Sequence, residues 1–246
     1  MCQTGAIIDP EASGRFAARS RTWWDPAGSF RALHWINPTR LGFIRQHLQA
    51  HFGCEPSSLR PFEGLSLLDI GCGGGLIAEP MARLGFAVTG IDADAEAVAA
   101  ARSHAREMGL AIDYRLATAE IAGRGRHTLR CRAGARSDRA CCRSRRIFCL
   151  HRRLGTARGA FVGATLNRTA AIFRLGDRRR RAHFPMDSPG THDWRKFLRP
   201  SEFILGLRRN GLSTTRLTGV VYDPWRGKWS LAPDLGVNYM VAATRR

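Results

Sequence analysis

Apolar positions in the first half of the chain gather into short blocks separated by glycine and acidic residues. Leu65 to Ile70 is an apolar run of buried-strand length, and Gly71, Gly73, Gly74 and Gly75 follow it at once. Glycines there permit a tight turn and close approach of a ligand to the main chain. Ile77 to Leu84 then reads as a helix, and Phe86 to Ile91 as a second strand ending in Asp92. A further helix opens near Ala95, with Asp94 as its cap. Strand, glycine loop, helix, strand, acid is the order of a βαβ nucleotide unit, which takes its ligand at the carboxyl ends of the strands. Helices before Leu65 and a pair of strands around Arg216–Tyr222 and Val237–Ala243 complete the expectation. The pattern predicts a doubly wound α/β fold with a mainly parallel sheet, and 246 residues suit one such domain.

The glycines expose main-chain N–H groups where the first helix begins, and Asp92 falls about twenty residues past Gly71, where a carboxylate can accept both hydroxyls of an adenosine ribose. In one register Gly73, Gly75 and Ala78 match the dinucleotide pattern G-x-G-x-x-A, which leaves a nicotinamide or flavin oxidoreductase as an alternative. Against it stands Asp69-x-Gly71-x-Gly73-x-Gly75, the D-x-G-x-G-x-G form that resembles motif I of class I S-adenosylmethionine methyltransferases. There a strand-end carboxylate can meet the cationic end of a methionine moiety, which a dinucleotide lacks.

The flanks sharpen the resemblance. "RTWWDPAGSFRALHWINPTRLGFI" precedes the unit, and "GTHDWRKFLRPSEF", "GVVYDPWRGKW" and "DLGVNYMV" follow it. In family order these are similar to the ubiquinone-biosynthesis O-methyltransferases, over residues 15–120 and 190–246. The resemblance implies a Rossmann-like methyltransferase domain that binds S-adenosyl-L-methionine and methylates polyprenylated hydroxyphenol and catechol intermediates. By position it assigns cofactor binding to Arg40, Gly71 and Asp92, and Asp69 and Gly73 join them as the acid and a glycine of the motif-I form. Read without it, Arg40 is a surface helix charge. Trp23 and Trp24 would line an apolar substrate entrance or serve as buried ballast. His34 and His192 are candidate acid–base groups, with a structural role as the alternative, so the catalytic residues stay unassigned.

Charge changes the picture for one part of the chain only. The formal net charge is +19, but residues 121–160 hold +11 of it and residues 174–189 another +3. Four of the seven cysteines, Cys131, Cys141, Cys142 and Cys149, fall in the first of these windows without the paired spacing of a metal site. The odd count suits reduced thiols. Aromatic residues are not interleaved with the arginines, which argues against a basic RNA-binding protein and any nucleic-acid partner.

In the resembled family the segment after the third strand reads like "FDVVLALEVIEHVADPAEF"; here it is "LRCRAGARSDRACCRSRRIF". Read one base late, the codons of Ser137 to Cys142 permit V-I-E-H-V, and every junction on to Phe148 permits the family letter. Arg174 to Ser188 can likewise be reread as "ALAIVGAEHIFRWIP", with the fixed ATG of Met186 before the G of Asp187 giving tryptophan. We read both windows as frameshifted. The chain then divides into a helical segment 15–64, a cofactor-binding half 65–120, a frame-disrupted stretch 121–189 and a substrate-side segment 190–246. In the intact family pattern the E-V-I-E-H element would supply ligands for Mg2+. An arginine-rich run is not expected as a central buried strand, so the literal chain would fold poorly around 121–160 and bind cofactor weakly.

No charged leader or membrane-length apolar run is evident in the sequence, which suggests a cytoplasmic protein. The isoprenoid tail of the implied substrate adds peripheral contact with a membrane surface and with other ubiquinone-biosynthesis enzymes as expectations.

Overall fold

The computed structural model describes residues 23–118, 129–135, 155–169 and 197–245, with the main chain alone described for 129–135 and 155–158. Helix α1 (Arg31–Phe52) leads into β1 (Ser66–Ile70), α2 (Ala78–Arg83), β2 (Ala87–Asp92), α3 (Ala95–Glu107) and β3 (Asp113–Leu116). Strands β4 (Leu129–Ala135) and β5 (Gly155–Leu166) follow, then α4 (Pro200–Arg209), β6 (Leu212–Asp223), β7 (Lys228–Ala232) and β8 (Asn238–Arg245).

The eight strands form one sheet in the order β3-β2-β1-β4-β5-β8-β6-β7. Strands β1 to β5 are parallel, whereas β8 pairs antiparallel with β5 and β6, and β7 closes a hairpin with β6. Strand order reverses between β1 and β4, which opens a crevice at their carboxyl ends, where open α/β sheets take ligands. The doubly wound fold expected from the sequence is present, with an additional strand, β7, supplied by the turn at Asp223–Lys228.

Both faces of the sheet are covered. Ala160, Val162 and Ala164 of β5 and Met240 and Ala242 of β8 join the core beneath α1, α2 and α3. Their alternates Phe161, Tyr239, Val241 and Ala243 join a second core with Phe203 and Leu207 of α4. A period of two with both sets buried is what a doubly covered sheet requires.

Strand β4 corrects one expectation. The arginine-rich stretch does supply a central strand, since Leu67 pairs with Cys131 on one side and Cys131 with Ala160 on the other. The physical reason is that the ladder is made by main-chain groups, and those of β1 and β5 both need partners whatever the side chains between them. Ser137–Arg143, the reread run Arg174–Ser188, His192, Cys141, Cys142 and Cys149 lie outside the described residues.

Candidate functional site

The glycine turn is held from two sides. Gly71 and Cys72 donate their amides to the Ile91 carbonyl at 2.8 and 3.0 Å, which ties the turn to the end of β2. Asp92, the last residue of β2, accepts from the Gly73 amide through Oδ2 at 2.8 Å and from the Asp94 amide through Oδ1 at 3.0 Å. Asp94 caps α3 as expected, its Oδ1 accepting from Glu96 and Ala97.

Two glycines are required by their surroundings. Gly73 has φ +53°, and a Cβ there would lie 2.5 Å from the Trp23 ring. Gly75 has φ +91°, and a Cβ would overlap the Tyr114 hydroxyl. Any side chain at either position would open the turn.

Asp69 lies one residue before the end of β1, in register with Gly90 of β2 and Ala133 of β4, at the point where strand order reverses. It is 1% exposed, and neither carboxylate oxygen has a hydrogen-bond partner among the described residues. Burial, with the Asp92 charge adding to it, pushes the Asp69 carboxyl from its ordinary 3.8 up to about 8. Burial also raises Asp92, although its backbone hydrogen bonds oppose the shift.

A carboxyl raised in the folded state keeps its proton there after the unfolded chain has lost it. Stability from this group is therefore full below about pH 4 and declines as pH rises towards about 8, by at most about 1.4 kcal/mol per pH unit. Asp69→Asn is expected to flatten that decline by one proton. Urea midpoints measured from pH 4 to 8 test this, and an unchanged slope in the variant would refute it.

Arg40 is 4% exposed, so it is not the surface charge that its helical context suggested. Asn37, one turn earlier on the same buried stripe of α1, donates to the Leu76 carbonyl at 3.3 Å, which lays this stripe against the end of the glycine turn. Trp23 stacks on Phe30 at 3.8 Å and covers Gly73 and Gly74, while Trp24 Nε1 donates to the Gly74 carbonyl at 2.9 Å. The tryptophan pair thus grips the turn, a role the sequence does not reveal. His34 donates through Nε2 to the Trp23 carbonyl at 2.8 Å, which favours its structural reading over an acid–base one.

The structure brings Asp69, Gly71, Gly73 and Asp92 together around one turn. Sequence reasoning misses Asn37, Glu79 and His104. The signal for Asn37 is its spacing of three from Arg40 in "INPTR". Among the described residues no group of three His, Cys, Asp or Glu side chains is placed to hold a metal ion.

A methyltransferase-domain family model matches residues 67–130. A ubiquinone biosynthesis O-methyltransferase of Paramagnetospirillum magneticum is 44% identical over 94% of this chain and 93% of its own length. That of Parvibaculum lavamentivorans is 42% identical over 97% of this chain and 94% of its own. Among solved structures, magnesium protoporphyrin IX methyltransferase from Synechocystis PCC 6803 with bound SAH superposes with TM-score 0.61, at 16% identity over 95% of each chain. A SAM-dependent methyltransferase of Thermotoga maritima, described as a possible histamine N-methyltransferase, gives TM-score 0.62 at 12% identity over 96% of this chain and 99% of that one.

Proposed function

The chain belongs to the ubiquinone biosynthesis O-methyltransferases, and from that premise we propose that its Asp69–Gly75 turn would hold S-adenosylmethionine for methyl transfer to a polyprenylated phenol or catechol. The observation that carries the placement is the pair of acids at adjacent strand ends. Asp69 is buried without a hydrogen-bond partner among the described residues, and Asp92 is oriented by Gly73 and Asp94.

These residues suit the cofactor's chemistry. The Asp69 carboxylate would face its cationic methionine end, and the remaining acceptor capacity of Asp92 would take the ribose hydroxyls. The main chain at Gly71, half-buried and without a side chain, allows close approach, and Arg40 would close the site from α1. When bound, S-adenosylmethionine supplies an electrophilic methyl group on a sulfonium. The protein's part is to hold the phenolic oxygen in line with that methyl group and to keep water out. The cationic cofactor would also let Asp69 ionise, so its binding releases a proton near neutral pH.

The E-V-I-E-H counterpart of the family lies outside the described residues, and those described offer no cluster that fits Mg2+. No helix among the described residues is long and apolar enough to cross a membrane. An isoprenoid-tailed substrate resides in lipid, and the enzyme would meet it by peripheral contact with the membrane surface.

Calorimetric titration with S-adenosylhomocysteine and, separately, with NADH tests the reading. Saturable binding of the first and none of the second is expected. Binding of NADH alone would reverse the assignment in favour of an oxidoreductase.

A further inference from the structure

A run of four glycine-rich positions loses more conformational entropy on ordering than any other segment of its length. Its ability to receive a ligand therefore depends on what holds it. One clamp is Asp92 on the Gly73 amide. The opposite side of the turn carries a second, built from three elements.

Trp24 Nε1 donates to the Gly74 carbonyl at 2.9 Å across fifty residues of sequence. Its indole lies flat on the His104 imidazole, with ring centroids 3.7 Å apart and planes 6° from parallel. His104, in the last turn of α3, donates through Nδ1 to Oε1 of Glu79 at 2.8 Å. Glu79, in the first turn of α2, is 2% exposed, and burial raises its carboxyl while the His104 hydrogen bond opposes the rise. A buried carboxylate is costly without a donor, so Glu79 fixes the imidazole. The imidazole in turn fixes the indole plane, and with it the direction of the N–H.

We propose that Glu79, His104 and Trp24 form a positioning unit that sets the Gly74 carbonyl and so preorganises the turn for S-adenosylmethionine. The proposal rests on the cofactor reading of that turn. None of the three need touch the cofactor. Their effect passes through one peptide plane, whose far side, the Gly75 amide, closes the turn onto the Cys72 carbonyl at 3.0 Å.

The test uses the full chain and two variants that keep an aromatic ring in place. Trp24→Phe removes the N–H donor, and His104→Phe removes the Glu79 partner. Trp225→Phe, at a site 95% exposed on the β6–β7 turn, is the control. The expected result is S-adenosylhomocysteine binding weakened about three- to tenfold in both variants, the range that one neutral hydrogen bond commands. Amide hydrogen exchange over residues 71–76 should also quicken, with the control unchanged. Unaltered exchange at 71–76 in both variants would overturn the proposal, and a variant that fails to fold leaves the other to decide. Should the parent chain bind no S-adenosylhomocysteine, the exchange rates alone decide. Quickened exchange would then uphold the clamp while the cofactor reading falls.

Discussion

Asp92→Ala is expected to weaken S-adenosylmethionine binding by about a hundredfold or more. The carboxylate already accepts from the Gly73 and Asp94 amides, and its remaining acceptor capacity is what the ribose would use. Hydrogen bonds to a charged group contribute about 1.5–3 kcal/mol each, so losing even one from the ribose is about a ten- to hundredfold effect. The loss of the Gly73 bond adds to this, because the turn is then released on its cofactor side. Asp92→Asn should fare little better. An amide presents one oxygen and one donor, and the donor must face either the Gly73 or the Asp94 N–H. The α3 cap is independent of Asp92, since Asp94 makes it, so the variant should still fold. Calorimetry checks the expectation, and a dissociation constant within threefold of the parent would remove Asp92 from the site.

The parts of this site that are legible in the sequence are those specified by near neighbours. The β1 run, the glycine turn, Asp92 and the Asp94 cap depend on period, backbone conformation and contacts a few residues away. All fall within one or two residues of their expected positions. The turn that makes β7 is written in "YDPWRGKW", where Asp223 accepts from the Trp225 and Arg226 amides. Without the structure that segment stands out only as a family mark. What cannot be read depends on tertiary distance. Trp24 reaches Gly74 and His104 reaches Glu79 across fifty and twenty-five residues, and no local pattern marks either pair. The burial of Arg40 is likewise decided by which face α1 turns to the sheet.

Restoring the reading frame across codons 121–160 and 174–189 is expected to give the largest change of all, a rise in methyl transfer of about a hundredfold or more over a chain that binds its cofactor weakly. Strand β4 carries the argument. It lies between β1 and β5, where a parallel strand is covered on both faces and wants apolar residues throughout. The letters there are Leu129-Arg-Cys-Arg-Ala-Gly-Ala135, with arginine at 130 and 132. Read one base late, the seven junctions that begin at Leu129 permit F-D-V-V-L-A-L, the strand with which the family segment opens. The ladder thus falls on the residues whose codons permit a suitable strand, and the V-I-E-H-V permitted from Ser137 follows it in sequence.

A central strand position favours apolar side chains, and an arginine there costs several kcal/mol wherever it is left buried and unpaired, against the roughly 5–15 kcal/mol by which a domain is stable. The frame-restored chain should therefore melt cooperatively and at a higher temperature, bind S-adenosylhomocysteine more tightly and methylate a short-tailed polyprenyl catechol. Resequencing the gene across both windows, with both proteins compared by thermal unfolding and methyl transfer, decides the matter. Verified DNA that reproduces the arginine tract, together with a literal chain equal to the restored one in both assays, would sink the frameshift. It would then leave β4 to be explained as a selected basic strand.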